Sequence, residues 1–355
     1  MRPALLLITA LAASAVSAAP IREHILVGQA QGTDADAGRD LGQLLAAGGA
    51  RALQTVATTG SVENVRRLAT EPGARLALVQ ADVLGALVEQ AAAGNPRAAQ
   101  WVAPLRVVMP LFDEEVYFVV RSDSPLHHIN DIRGQRVNVG PVGSGSAFTA
   151  TRVYTRLFGS DLPAGDASFF SNEEALTHLT TDHSIDVVVV VSGQPARLFN
   201  GMNAQVRRSI RLLALDPASP EAKTLANAYA GATIRRESYQ DWLQEDVPSI
   251  SVKTVLMTRN YQTPAVRSQL VGVARALCIG ASQLRADGHV KWRDVNVSQP
   301  ELPQGWSYYL PTHEVLSNCS ALQEADAQAT NRRLLEAAKH ACAASSPCGK
   351  ARRRP

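Results

Sequence analysis

Apolar and polar positions follow two different periods along the first part of the chain. Short β-rich apolar runs at residues 25–28, 53–56 and 76–79 are separated by stretches of helical periodicity at 41–47 and 62–68. This order predicts a βαβαβ arrangement, in which helices cover a mostly parallel sheet. Because ligands of such sheets gather at the carboxyl ends of the strands, the loops after the three runs are expected to share one edge.

A second series of the same kind follows in the middle of the chain. It begins at residues 136–139, continues through a helical stretch at 147–157 and an extended run at 168–170, and reaches the run 185–191. This last run reads Ile-Asp-Val-Val-Val-Val-Val, which is typical of a strand buried on both faces.

Two other extended stretches are interpreted as crossings between lobes. The first contains the apolar runs 107–110 and 116–120, and the second is residues 249–257. We expect the chain to leave one lobe near Asp113 and to return near Ser251, so that the two segments act as a hinge.

The predicted domain division is therefore discontinuous. Residues 19–112 and 251–320 form lobe 1, residues 113–250 form lobe 2, and residues 321–355 form a C-terminal helix with a basic tail. A chain of 355 residues is long enough for two lobes that each bury a core.

Residues 1–18 have the pattern of a secretory signal peptide. An apolar run from Ala4 to Ala13 follows Arg2, and Val16-Ser17-Ala18 supplies the small residues that signal peptidase requires. The run is shorter than the ~20 apolar residues that cross a bilayer. We therefore expect an exported, soluble, periplasmic protein; the alternative is a buried helix or membrane anchor, which Pro20 disfavours.

The charge balance argues against a nucleic-acid-binding protein. The formal net charge is +3, and part of the positive charge lies in the tail at 350–354. No other basic stretch is interleaved with aromatic residues that could stack on bases. We expect a monomer with no nucleic-acid partner, no metal and no cofactor.

Four cysteines, Cys278, Cys319, Cys342 and Cys348, lie in the last quarter of the sequence and are all disulfide candidates. Disulfides are the usual state of cysteines in exported proteins. Of the three possible pairings, Cys278 with Cys319 and Cys342 with Cys348 is the first to test. A structural zinc site is the alternative, but no Cys-x-x-Cys spacing supports it.

Two loops of small polar residues, 59–64 and 140–146, each end a β-like run and open into an amphipathic helical pattern. Unpaired N–H groups and aligned peptide dipoles at such helix starts can bind a carboxylate or phosphate. Since one loop is early and the other central, the pair suggests two lobes that close on one small anion. Ordinary helix capping is the alternative explanation for each loop.

The ordered set of motifs resembles the TAXI branch of the TRAP-transporter solute receptors, which are periplasmic binding proteins. The resemblance covers about residues 25–309 and rests on the segments 58–64, 76–82, 132–137, 139–146, 185–187, 193–195 and 305–309.

This resemblance implies an α/β fold of two lobes, type II-like, each lobe a mostly parallel sheet flanked by helices, with the ligand cleft between them. It implies no catalysis. The expected function is capture of a small organic anion or amino acid, typically glutamate-like or a dicarboxylate, for delivery to a TRAP-type membrane permease. One alternative is a sensory protein that signals to a membrane kinase.

A secreted hydrolase is a more remote alternative. The segment Gly143-Ser144-Gly145 does not have the Gly-x-Ser-x-Gly pattern of a nucleophile elbow. The adjacent His127 and His128 are interpreted as a surface turn, because no further metal ligand follows at a suitable spacing.

The candidate ligand-binding residues are small or polar residues of these loops: Thr33, Asp34, Thr59, Gly60, Ser61, Gln80, Gly143, Ser144, Gly145, Ser146 and Gln194. The loop 29–36 departs from the family pattern, which has aromatic residues there. Asp34 and Asp36 in this loop would repel an anion unless the ligand carries an ammonium or hydroxyl group at that point. A solvated loop or a helix-start charge is the alternative role for these two carboxylates.

Overall fold

The structure, a computed structural model, describes residues 23–48, 53–297 and 299–344. Ten strands in these ranges form one sheet with helices on its faces, so the predicted α/β fold is confirmed. The strands are β1 (His24–Val27), β2 (Gln54–Ala57), β3 (Ala74–Gln80), β4 (Leu105–Arg121), β5 (Val137–Asn138), β6 (Ala167–Ser168), β7 (Val187–Ser192), β8 (Ile210–Leu212), β9 (Ala230–Ile234) and β10 (Val247–Arg259). The α-helices are α1 (Thr33–Ala47), α2 (Ser61–Thr70), α3 (Ala81–Ala92), α4 (Pro96–Val102), α5 (Gly145–Phe158), α6 (Asn172–Thr180), α7 (Arg197–Asn200), α8 (Ala204–Arg208), α9 (Pro220–Ala226), α10 (Pro264–Asp287), α11 (Leu310–Ser317) and α12 (Cys319–Ala344).

Some predictions fall outside this part of the chain. The predicted signal peptide, residues 1–18, lies outside the described residues, as do Cys348 and the side chain of Cys342. Among the helices that are described, none is long and apolar enough to cross a membrane.

The first three strands form the predicted βαβαβ unit. β1 pairs in parallel with β2 on one side and with β3 on the other. Side chains of β1 alternate between two cores: Ile25 and Val27 pack on one face of the sheet, and Leu26 packs on the other. Burial on both faces explains why the run is continuously apolar.

The second series forms a similar parallel group. β5 pairs in parallel with β6 and with β7, and Val187 and Val189 of β7 pack on the opposite face from Val188 and Val190. The prediction of a strand buried on both faces is therefore confirmed. The predicted helix at 147–157 is α5, which begins two residues earlier.

Two long strands connect these groups. The runs at 107–110 and 116–120 are parts of one strand, β4, which pairs antiparallel with β10 through Asp113 opposite Lys253 and Glu115 opposite Ser251. Both predicted crossing points are thus neighbours in the sheet. At the same point β4 passes from one hydrophobic core to the next: Phe112 packs in the core of the first group of strands, whereas Val116 packs in the core of the second. The lobe boundaries themselves remain a prediction.

The C-terminal part returns to the first group. α10 packs against α1, α11 and α12, and Cys278 of α10 forms a disulfide with Cys319 at the start of α12. The pairing of these two cysteines agrees with the prediction. The helix predicted in the C-terminal segment 321–355 is present as α12, which begins at Cys319, and Leu334 and Leu335 on it are largely exposed.

Candidate functional site

A cavity of about 70 Å³ lies where strand ends of both groups meet helix starts. Gly28 follows β1, Gln80 ends β3 and Ser192 ends β7, and the first turns of α1, α2, α5 and α6 complete the wall. This is the carboxyl edge at which α/β sheets bind ligands. The volume is small beside the ~300–1,000 Å³ typical of ligand pockets.

The starts of α2 and α5 are in direct contact across the cavity. Gly60, the N-cap of α2, has a positive φ of 137°, and a Cβ at this position would lie 2.8 Å from the backbone nitrogen of Gly145. A Cβ on Gly145 would overlap the Gln80 side-chain oxygen and lie 2.9 Å from Ser61 Oγ. Only glycine lets the two loops approach this closely.

The hydroxyl groups in the two loops are used partly for capping. Ser144 Oγ accepts a hydrogen bond from the Ala147 N–H at 3.0 Å and so caps α5. Ser61 Oγ accepts from the Gln80 N–H at 3.0 Å, whereas α2 has no side-chain cap. Thr59 donates its hydroxyl to Glu63 at 2.9 Å. The capping alternative therefore applies to Ser144, while the first N–H groups of α2 lack such a partner.

Most of the predicted site residues line this cavity. They are Thr33, Asp34, Thr59, Gly60, Ser61, Gln80, Ser144, Gly145 and Ser146. Thr33 also joins the two groups of strands, because its Oγ1 lies 3.1 Å from Ser192 Oγ and accepts the Gly193 N–H at 2.9 Å.

Gln194 and Gly143 do not line the cavity. The Gln194 side chain donates to Glu115 and to the Thr233 carbonyl oxygen, both at 2.9 Å, and accepts the Arg235 N–H at 2.8 Å. These hydrogen bonds hold the Gln194 side chain inside the protein, and the structure does not bring it to the cavity with the other candidates. Gly143, with φ 80°, lies beside Thr59 in the loop before α5.

Asp34 faces a second carboxyl that sequence reasoning missed, Glu114 in the middle of β4. Gln80 Nε2 donates to Glu114 Oε2 at 3.0 Å, and Thr254 Oγ1 donates to the same oxygen at 3.3 Å. Burial raises the pKa of Asp34 to about 7, opposed by a hydrogen bond from Thr254. Burial, and next the charge of Asp34, raise the pKa of Glu114 well above its usual range.

Glu115, the next residue of β4, lies in a different environment. Lys291 Nζ contacts Glu115 Oε1 at 2.7 Å, and both side chains are almost fully buried. The backbone and side-chain amides of Gln194 also donate to this carboxylate, at 2.8 and 2.9 Å. Glu115 therefore joins Lys291, from the C-terminal return of the chain, to the segment that follows β7.

Other polar contacts join the two groups around the cavity. Asp82, at the start of α3, accepts hydrogen bonds from Thr149 Oγ1 at 2.7 Å and from Tyr229 OH at 3.1 Å. Asp36 pairs with Arg197 at 2.8 Å, so this carboxylate serves an ion pair.

His127 and His128 are exposed, which agrees with the predicted surface position, but they do not form the turn themselves: His128 is extended and bridges to Ala214, just before a 3-10 helix at Ile129–Ile132. Their backbone N–H groups donate to Asp131 at 2.7 and 2.8 Å. Within the described ranges no group of three or more His, Cys, Asp or Glu side chains could hold a metal ion.

A model of the NMT1-like family matches residues 25–271, which is more than half of the chain. The chain belongs to the NMT1-like family. The match spans both groups of strands and all the residues that line the cavity. No curated protein sequence matches the chain.

Several solved structures align with this member of the NMT1-like family at low sequence identity. The periplasmic binding protein BugD aligns over 88% of this chain and 99% of its own, with 13% identity and a TM-score of 0.48. XAC2383 from Xanthomonas citri, bound to ATP, aligns over 85% and 98%, with 14% identity and a TM-score of 0.44. The arginine-, lysine-, histidine-binding protein ArtJ from Geobacillus stearothermophilus aligns over 79% and 97%, with 12% identity and a TM-score of 0.44.

Proposed function

We propose that this protein is an extracytoplasmic solute receptor, in which two lobes close on a small organic acid at the cavity between α2 and α5. The observation that carries the proposal is the meeting of two helix starts, one from each half of the sheet, at one cavity. The lobes are residues 19–112 with 251–320, and residues 113–250. β4 and β10 serve as the hinge, since they are the paired strands that run from one core to the other.

The acid group of the ligand binds at the starts of α2 and α5. Backbone N–H groups at a helix start carry partial positive charge and can donate to a carboxylate, and glycine allows the backbone to approach it closely. Ser61, Gly145 and Ser146 are the residues proposed for this contact. Because the ligand touches both lobes only when they are closed, its binding shifts the equilibrium toward the closed state.

Delivery to a membrane permease of the TRAP type is the proposed physiological step. Its support is the resemblance of the ordered motifs to the TAXI receptors. The test is uptake of the bound solute by vesicles that contain the candidate permease, with and without added receptor. Uptake that does not depend on the receptor would contradict this step.

Ligand capture is tested by a thermal-shift screen of the protein against amino acids, dicarboxylates, oxo-acids and sugars. A ligand that binds only the folded state raises the melting temperature, by an amount that grows with its concentration relative to Kd. We expect a shift with at least one small acid. A panel without any shift, on protein freed of bound ligand by unfolding and refolding, would contradict the receptor function.

The closed geometry is tested with Gly145→Ala. The added methyl group would overlap the end of the Gln80 side chain and crowd Ser61 Oγ, so these two side chains of the site would have to move and ligand affinity is expected to fall by about 10-fold or more. Gly165→Ala is the matched control, because no atom lies within 4 Å of its added Cβ. Equal ligand affinity in both variants would contradict binding between these loops.

A further inference from the structure

The cavity wall has an unbalanced charge. Asp34, Glu114 and Glu173 line it, and among the described residues that form the wall there is no lysine, arginine or histidine. Asp34 and Glu114 are both deeply buried, and an ionised carboxylate in such a place is costly without a cationic or hydrogen-bonding partner. A dicarboxylate ligand would add negative charge to this wall.

Three buried oxygen atoms of the wall have no hydrogen-bond partner. They are Asp34 Oδ1, Gln80 Oε1 and Asn172 Oδ1. All three are acceptors, and the residues Asp34 and Gln80 are only 8% and 4% exposed. Buried polar groups are paired in most native structures, so unpaired acceptors that share one wall indicate a missing donor.

The protein supplies few donors to the two buried carboxyl groups. Gln80 Nε2 donates to Glu114, and the single hydroxyl proton of Thr254, which lies 3.3 Å from Glu114 Oε2, can serve only one carboxyl at a time. Lys291, which neutralises Glu115, donates its ammonium protons to Glu115 and Asp294 rather than to Glu114 or Asp34.

We infer that this wall is a subsite for the ammonium group of the ligand, which Asp34, Glu114 and Gln80 bind while the helix starts of α2 and α5 bind the acid group. An ammonium has three donors and no acceptor, and so matches a wall of unpaired acceptors. The ligand class is then a small amino acid or another zwitterion, and a plain dicarboxylate is excluded. The inference rests on the proposed receptor function.

Protonation of the carboxyl groups is the competing way to balance the wall. Burial raises the pKa of Asp34 to about 7, so a proton can occupy this site when the ligand is absent. A wall whose carboxyl groups stay protonated would bind a ligand carboxylate by donating its own O–H groups to it. Only the ammonium subsite requires an ammonium group on the ligand for tight binding; the protonated wall does not.

The experiment is calorimetric titration at pH 8 with matched pairs that differ only in the ammonium group: L-glutamate with glutarate, L-aspartate with succinate, and L-alanine with propionate. In the pair that binds, we expect the amino acid to bind about 100-fold more tightly than its deaminated partner. Asp34→Asn and Glu114→Gln should each reduce this ratio to about 10-fold or less.

Asp113→Asn is the matched control on the same strand, since Asp113 pairs with the half-exposed Lys253 away from the cavity. Asp113→Asn should keep the full affinity ratio between the amino acid and its deaminated partner. A deaminated acid that binds as tightly as its amino acid, or more tightly, would overturn the inference and leave the receptor function intact. A failure of all acids and amino acids to bind would instead refute the receptor function and the inference together.

Discussion

Glu114 and Glu115 are neighbours in β4, are equally buried at 4% exposure, and lie in opposite electrostatic environments. Successive strand residues face opposite sides of a sheet. Glu115 contacts Lys291 and both amides of Gln194. Glu114 has a neutral amide, a hydroxyl and the carboxyl of Asp34 around it. The first carboxylate is balanced by the fold itself, whereas the second is balanced only by a proton or a ligand.

The largest expected effect is on the Glu115 side. Glu115→Gln leaves Lys291 buried without its carboxylate partner, and removal of one member of a buried ion pair typically destabilises a protein by about 3–5 kcal/mol. Chemical denaturation measures the free energy of unfolding. The double variant Glu115→Gln with Lys291→Met should recover much of the loss, and a double variant as unstable as the single one would contradict a charge-based explanation.

The corresponding substitution of Glu114, on the other face of the sheet, should not destabilise the protein. Glu114→Gln removes a buried carboxyl that has no cationic partner, so the free energy of unfolding of the ligand-free protein should stay the same or rise by about 1 kcal/mol. Denaturation of both single variants under the same conditions makes the comparison. A loss of more than ~2 kcal/mol in Glu114→Gln would mean that this carboxyl stabilises the fold as Glu115 does.

The pH dependence of stability sharpens the same contrast. The pKa of Asp34 is raised by burial from 3.8 to about 7 in the folded protein, so this group contributes stability that is fully present below about pH 4. That contribution is lost as the pH rises through about 7. Asp34 faces Glu114 of β4 and Thr254 of β10, and Asp36 of its own helix is paired with Arg197.

The measurement for this prediction is the melting temperature of the ligand-free wild type and of Asp34→Asn between pH 4 and pH 9. The difference between the two melting temperatures should move in favour of the variant as the pH rises from about 4 to about 7, and should level off above that. A difference that is constant over this range would show that Asp34 titrates as an exposed carboxyl does.

The smallest effect is expected at Asp113, the third acid of the same run. Asp113 pairs with Lys253 at 2.6 Å, but both side chains are about 40% exposed. Solvent-exposed ion pairs contribute up to about 1 kcal/mol. Asp113→Asn should therefore change the free energy of unfolding by ~0.5 kcal/mol or less. A larger loss of stability would mean that the ion pair of Asp113 with Lys253 stabilises the fold although both side chains are exposed to solvent.

The fold was largely predictable because its strands are continuous apolar runs. Ile25 to Val27 and Val187 to Val190 are buried on both faces, and this burial gives the sequence an unambiguous pattern. The disulfide between Cys278 and Cys319 also agreed with the prediction. The two glycine loops were located by the same logic, since helix starts after strands have a recognisable composition.

The missed residues have a common physical reason. Glu114, Glu115 and Lys291 acquire their roles from partners far away in sequence, and charged residues inside a strand read as an interruption rather than as a site. A signal was present: three consecutive acids, 113–115, divide an apolar extended run that the structure shows to be one strand. The position of Gln194 after a strand end did not reveal that Glu115 and Arg235 form hydrogen bonds with its side-chain amide.

The most direct test of the account is a crystal structure of the protein with the acid that gives the largest thermal shift. We expect closed lobes, with the ligand carboxylate within hydrogen-bonding distance of the N–H groups at the starts of both α2 and α5, and an ammonium group between Asp34 and Glu114. A ligand bound elsewhere, or bound to one lobe alone with the other unengaged, would contradict it.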